Sequence, residues 1–378
     1  MKPFSIAGRA LLAEGFSEAT LLVADARIVA IRRGIDRRAD IRTAGWIAPG
    51  LIDLQVNGAY GFDFTADSTT MAEVAARLPT TGVTAFLPTI ITSPLEAYPR
   101  VLRDLERAAE DARGAQILGA HLEGPYLNAR RAGAHNPNYL RAPTRDELEA
   151  WVGSPLVRLV TLAPELPGAL DLIRELGARR VVVSAGHSDA SYAQAIAGFQ
   201  AGITWGTHLF NAMPPFAHRE PGLVGALLSS DIPVGLIVDG IHVHPATLKT
   251  VFRAKGARGI TLVTDAMAAM GMGAGRYALG DRAVIVDASS ARLADGTLAG
   301  SILQMDGAIR NVIEYTGCSL ADALTMASAT PARVLGLQNK GRIVTDGDGD
   351  LVILDQSLRV EMTIARGEIV YERKNATD

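Results

Sequence analysis

Glu123, His187 and His208 each close a short apolar run, and a further carboxylate, Asp265, closes another. One carboxylate and two neutral imidazoles form the donor set of a catalytic zinc centre that keeps a position open for water. The same donors accept Fe(II) or Co(II), because imidazole and carboxylate discriminate weakly among these ions. A carboxylate beside an activated water can take its proton and pass it to a leaving group, the role that suits Asp265. These residues come from separate runs, so the metal reading rests on their position at run ends. Structural histidines, and a capping role for Asp265, explain the same pattern. Gln55, Asn57, Glu165, Asn211 and Asp239 also stand at run ends, the last followed by His242 and His244. His121 lies two residues before Glu123 and so shares its face of a strand, as a ligand or as buried support. His218 and Arg219 fall in a loop, where a solvated histidine is the default and Arg219 is either an anion grip or plain surface.

The elements that must position these groups alternate in type. Apolar runs lie at 51–58, 83–90, 117–124, 157–165, 181–189, 203–212, 234–243 and 260–267. Longer helical stretches separate them, the pattern of parallel βα units. Eight such runs predict a closed (β/α)8 barrel, whose catalytic groups gather at the C-terminal strand ends. Helices are expected over 68–82 with a Ser/Thr cap, over 93–114 with Pro94 in the first turn, and over 189–202 with an Asp cap. Residues 1–50 and 341–378 carry short strands punctuated by Gly and Asp. Neither end holds a core of its own, so the two are expected to pair into one small β domain beside a barrel of residues 51–340.

Composition narrows the function classes. Lys and Arg total 37 against 40 Asp and Glu, a formal charge of −3, which lacks the basic excess of a nucleic-acid footprint. Cys318 is the single cysteine, which excludes an intramolecular disulfide and a cysteine-rich zinc site and fits a reducing, cytoplasmic setting. The first residues have no signal-peptide core, and no apolar run is long enough for a membrane span. GxGxxG, Walker and Gly-x-Ser-x-Gly motifs are absent, leaving nucleotide-dependent and serine-hydrolase chemistry without support.

The segments PGLIDLQVNG, HLEGPYLN, GAHNP, SAGHSDA, THLFNAMPPF, HREPGLVG, VTDAM, GTLAGS and TPARVLGL, in that order from about residue 45 onward, resemble the N-acetylglucosamine-6-phosphate deacetylases of the amidohydrolase superfamily. The resemblance implies a TIM-like barrel with a small β-sandwich from both termini. It implies one divalent metal, zinc with Fe(II) or Co(II) as alternatives, on Glu123, His187 and His208, and Asp265 as acid/base. His135, with Ala134 in GAHNP, matches a catalytic contact near the amide. Asn211 and Ala212 match a sugar-phosphate segment, Arg219 and His242 phosphate or sugar contacts, and Ala299, Gly300 and Ser301 a substrate-lining loop. Gln55 and Asn57 occupy the positions of the His-x-His that supports a second metal in many amidohydrolases. Neutral amides are poor zinc ligands, so a single metal is expected, with the two amides among the substrate contacts. The resemblance also implies a homodimer acting on a phosphorylated amino sugar, without nucleic acid or membrane. A related substrate such as N-acetylgalactosamine 6-phosphate, or a binding protein without catalysis, are the competing readings.

Overall fold

A computed structural model describes residues 2–374, so residues 1 and 375–378 of the expected terminal unit lie outside it. Eight parallel strands follow one another around the molecule in chain order. They are β1 (Leu51–Val56), β2 (Val83–Ile91), β3 (Ala120–Glu123), β4 (Val157–Leu162), β5 (Val182–Ala185), β6 (Ile203–Gly206), β7 (Val234–Leu236) and β8 (Ile260–Leu262). Each falls within one of the eight apolar runs, except that β2 passes the end of its run by one residue. Past the end of β8, the Asp265 amide donates to Gln55 O at 2.9 Å and the Asn57 amide to Ala266 O at 2.8 Å, joining the last strand to the first.

The barrel interior is layered. At its base lie Ile52, Leu54, Ala85, Leu87, Leu159, Val182, Trp205, Ile237 and Val263, plugged from below by Ala332 and Leu335. Above them sits a ring of hydroxyls and one imidazole. His121 Nε2 contacts Thr161 Oγ1 at 2.7 Å, which meets Thr207 Oγ1 at 2.7 Å, itself 2.6 Å from Ser184 Oγ. A second, larger apolar core fills the space between the strands and the surrounding helices. Leu102 and Leu105 of the helix Tyr98–Asp111 belong to it and Ala109 packs against it, the three residues that the periodicity places on one face.

The expected helices are shorter than their sequence windows, and their caps differ. Over 68–82 the α-helix is Met71–Arg77, and Asp67 caps the 3-10 turn before it. Pro99, not Pro94, opens the helix Tyr98–Asp111; Pro94 caps a preceding 3-10 turn. The third helix is Tyr192–Ala201, closed by Ser191 and Gln194 in a reciprocal capping box. Asp189 is drawn away from that cap because Arg131 holds it at 2.8 Å.

Both termini build one sheet of seven strands. Its order runs Glu368–Glu372, Val360–Ala365, Leu351–Leu354, Ile41–Pro49, Phe4–Leu12, Gly15–Ala24, Arg27–Arg33. All pairs are antiparallel except Phe4–Leu12 with Ile41–Pro49. Ile6, Leu21, Ile28, Ile47, Leu351, Ile353 and Ile364 form its core. The register Leu351↔Pro49 through Leu354↔Trp46 ties the C-terminal strands to the segment that leads directly into β1. A three-stranded antiparallel flap after β8, Gly275–Leu279, Arg282–Val286 and Ala291–Arg292, has no counterpart among the expected elements. Its signal was present: alternating residues on either side of Gly280-Asp281, a hairpin turn pair.

Candidate active site

The C-terminal strand ends open into a cavity of about 390 Å³, within the range typical of small-molecule sites. Glu123, His135, His187, His208, Asn57 and Asp265 line it, together with Asn211, Ala212 and His242. A larger cavity, about 660 Å³, lies at the other end of the barrel against Pro49 and Arg258 and holds none of these groups. Backbone geometry aims the key side chains inward. His187, His208 and Asp265 all have positive φ, at 48°, 28° and 48°. A non-glycine residue held there costs about 1–3 kcal/mol, a strain found where function fixes a side chain.

Glu123 Oε1 lies 3.3 Å from His187 Nε2 and 3.0 Å from His208 Nε2, and those two nitrogens are 3.1 Å apart. Donors about 2.0–2.2 Å from a tetrahedral zinc are separated by roughly 3.3 Å, so the spacing fits the ion. Glu123, His135 and His187 also present donors within 4.8 Å of one another. Hydrogen bonds assign different parts to these histidines. His187 Nδ1 faces the carbonyl oxygen of Arg131 at 2.9 Å, which places the proton on Nδ1 and leaves the Nε2 lone pair free to bind a metal. His135 Nδ1 accepts the Thr92 backbone N–H at 3.2 Å, so its proton sits on Nε2, 3.8 Å from Glu123 Oε2. His135 therefore offers a donor, not a lone pair, to the cavity. Of the two readings open to His121, ligand or buried support, its contacts match the second: Nδ1 contacts Leu54 O at 3.1 Å, and burial pushes the imidazole down to about 4, keeping it neutral.

The electrostatics follow from burial and proximity. Burial alone would raise Glu123, but hydrogen bonds and charge from His187 and His208 outweigh it and hold the carboxyl well below the ordinary range. Burial, with His187 beside it, pushes His135 down to about 3. Burial and the neighbouring Glu123 push Asp265 up to about 6.

The two amides that replace His-x-His serve the carboxylates. Gln55 Nε2 donates to Glu123 Oε1 at 3.1 Å, and Asn57 Nδ2 to Asp265 Oδ1 at 2.7 Å. Gln55 Oε1 and Asn57 Oδ1 are buried without a protein partner among the described residues.

Other strand-end residues turn out to brace loops. Glu165 accepts from Asn128 Nδ2 (2.9 Å), Ser188 Oγ (2.7 Å) and the Asp189 amide (2.7 Å), fixing the segment after His187. Asp239 Oδ2 lies 2.6 Å from His242 Nδ1, and His244 caps the helix Pro245–Lys255. Ala134 and Gly300 line the cavity, whereas Ala299 packs into a neighbouring apolar cluster. Ser301 donates to Thr264 O at 2.5 Å, and Gln55 reaches the cavity only through Glu123. Arg219 stands exposed on its loop beside His218 and is not among the lining residues. Lining residues that the sequence reading passed over include Gly133, Leu279, Arg292 and Thr297. The flap brings two of the four, Leu279 and Arg292, and Asp295-Gly296, a turn signal, marks the bend after it that carries Thr297.

A model of the amidohydrolase family matches residues 46–370, nearly the whole chain. The chain belongs to the amidohydrolase family. Within it, the sequence groups with the N-acetylglucosamine-6-phosphate deacetylases. The enzyme of that name from Homo sapiens is 43% identical over 357 residues, 90% of this chain and 87% of the relative. That from Bacillus subtilis is 40% identical, covering 87% and 86%. The solved structure of the Mycobacterium smegmatis deacetylase, a mutant in complex with N-acetyl-D-glucosamine-6-phosphate, superposes with a TM-score of 0.93 at 35% identity over 98% of this chain and 100% of that one. This amidohydrolase therefore shares barrel, terminal sheet and chain order with enzymes that act on a phosphorylated amino sugar. Among the described residues no helix is long and apolar enough to cross a membrane.

Proposed function

We propose that this chain hydrolyses the acetamide of N-acetyl-D-glucosamine 6-phosphate to acetate and D-glucosamine 6-phosphate. The observation that carries the reading is the convergence of Glu123 Oε1, His187 Nε2 and His208 Nε2 at 3.0–3.3 Å, with Asp265 lining the same cavity. Those three residues would hold one divalent cation, zinc being the ion whose tetrahedral preference fits. When bound, such a cation supplies Lewis acidity, lowering the pKa of a bound water from 15.7 toward about 7.

The chain's own groups carry the protons. Asp265 takes the proton of the attacking water, and Asn57 holds its Oδ1 in place. His135, protonated at Nε2, donates to the amide oxygen as negative charge develops there, the electrostatic contribution that is usually largest. Asp265 then delivers its proton to the amine nitrogen as the C–N bond breaks. Asn211, Ala212 and His242, on the cavity wall, bind the sugar and its phosphate and position the amide. Gln55 keeps Glu123 oriented.

A homodimer belongs to this proposal, with the exposed Arg219, which does not line its own cavity, assigned to the phosphate site of the second copy. So do a cytoplasmic location, in keeping with the unpaired Cys318, and a division into a catalytic unit, residues 51–340, and a terminal unit. The test is acetate release from the phosphorylated sugar before and after a chelator, with N-acetylgalactosamine 6-phosphate alongside. Release that stops on chelation and returns with zinc supports the reading. Release indifferent to metal, or faster from the galacto isomer, overturns it.

A further inference from the structure

We propose that Arg292 is a phosphate-binding residue of the active-site cavity supplied by the chain itself; this rests on the deacetylase reading. The lining holds four histidines, two carboxylates and one guanidinium, that of Arg292. His187 and His208 converge on Glu123, His135 is neutral, and His242 is tied to Asp239. Among the described residues Arg292 is thus the one lining side chain with a permanent charge available to an anionic substrate group.

Arg292 is half-buried, and its polar contacts among the described residues are to neutral acceptors: Nε donates to Ser290 Oγ at 3.1 Å and Nη1 to Gly296 O at 2.9 Å. A guanidinium carries five N–H groups, so the remaining ones, on Nη1 and Nη2, keep their hydrogen-bonding capacity and their charge. The side chain is also preset. Asp287 holds Ser290 through its amide at 2.7 Å, Leu293 N donates to Thr297 O at 2.8 Å, and Arg292 bridges Leu298 across the bend. Ile91, Ala134 and Leu279 pack in the same apolar cluster as Leu293, seating the flap over the wall that carries His135. A sugar phosphate brings a charge of about −1.5 to −2 at neutral pH. A fixed guanidinium fork binds such a group by two parallel hydrogen bonds at little ordering cost.

The test uses the zinc-loaded enzyme, its Arg292→Gln variant and its Arg292→Lys variant. Calorimetry reads binding of glucosamine 6-phosphate and of glucosamine, and acetate release reads turnover of the phosphorylated and unphosphorylated N-acetyl sugars. In the Gln variant, affinity and kcat/KM for the phosphorylated compounds are expected to fall about 10- to 100-fold, with Lys recovering part of the loss. Values for the unphosphorylated compounds should hold. Equal losses on both kinds of compound, no loss on the phosphorylated ones, or failure of the wild type to bind glucosamine 6-phosphate would overturn the assignment. Wild-type protein that binds the phosphorylated amine in an Arg292-dependent way, yet releases no acetate, would refute the deacetylase reading and leave Arg292 standing.

Discussion

Replacing Asp265 by Asn should make the metal-free protein more stable while abolishing its activity. Burial and Glu123 push this carboxyl from 3.8 to about 6. At 1.36 kcal/mol per pH unit of altered proton affinity, that corresponds to about 3 kcal/mol against the ionised form in the fold. The sign follows from proton binding. Between about pH 4 and pH 6 the folded state holds the proton that the unfolded chain has lost, so stability falls as pH rises through this window. The penalty is complete above pH 6 and vanishes below pH 4. Asn keeps the oxygen that accepts from Asn57 Nδ2 and carries no charge, so it escapes the cost. Unfolding entropy of roughly 2.1 cal/mol/K per residue over a chain of this length converts 3 kcal/mol into about 4 °C of Tm. The assay is thermal unfolding of chelator-treated wild type and Asp265→Asn at pH 8 and pH 4.5. The variant should melt higher at pH 8, with the gap closing at the acidic end. Equal Tm at pH 8, or a gap that widens on acidification, would refute the reasoning. Turnover of the zinc-loaded variant should drop by at least the ~10²–10⁴ typical of general acid–base catalysis.

Other perturbations probe the parts separately. Glu123→Gln removes the one charged donor of the triad, so zinc measured after dialysis should fall far below equimolar while far-UV dichroism is retained. Asn57→Ala deletes a hydrogen bond to a buried carboxylate, roughly 1.5–3 kcal/mol, and should raise the acidic limb of the pH–rate profile by about 1–2 pH units; an unmoved limb would show that Asn57 does not tune Asp265. Arg219→Ala should lower kcat/KM for the phosphorylated sugar without lowering Tm, in a protein that sediments as a dimer. A Cβ at Gly58 would lie 2.1 Å from Phe62 O. Gly58→Ala should therefore cost about 1–3 kcal/mol in stability, read by denaturant unfolding, because the backbone beside Asn57 must shift.

Periodicity and residue type were enough to name the barrel strands, because a parallel strand buried on both faces is predominantly apolar, admitting only polar groups that pair inside the barrel such as His121, Thr161 and Ser184. The chemistry-bearing residues were legible for the same reason: Glu123, His187, His208 and Asp265 stand where apolar runs stop. The flap between residues 275 and 292 was not read, since strands exposed on one side lack a continuous apolar run, and Arg292 went unnoticed with it. Nor does residue type divide the histidines into roles. His121 and His135 are as polar as His187, and only the third dimension places Leu54 O and Thr161 beside the first and the Thr92 amide beside the second. Sequence alone determined which residues were available for catalysis, because burial pattern is a local property of the chain. The tertiary structure decided which histidine presents a lone pair to the cavity, which presents a proton and which only braces, because a tautomer is set by the atom facing each ring nitrogen, and that atom comes from a distant part of the chain.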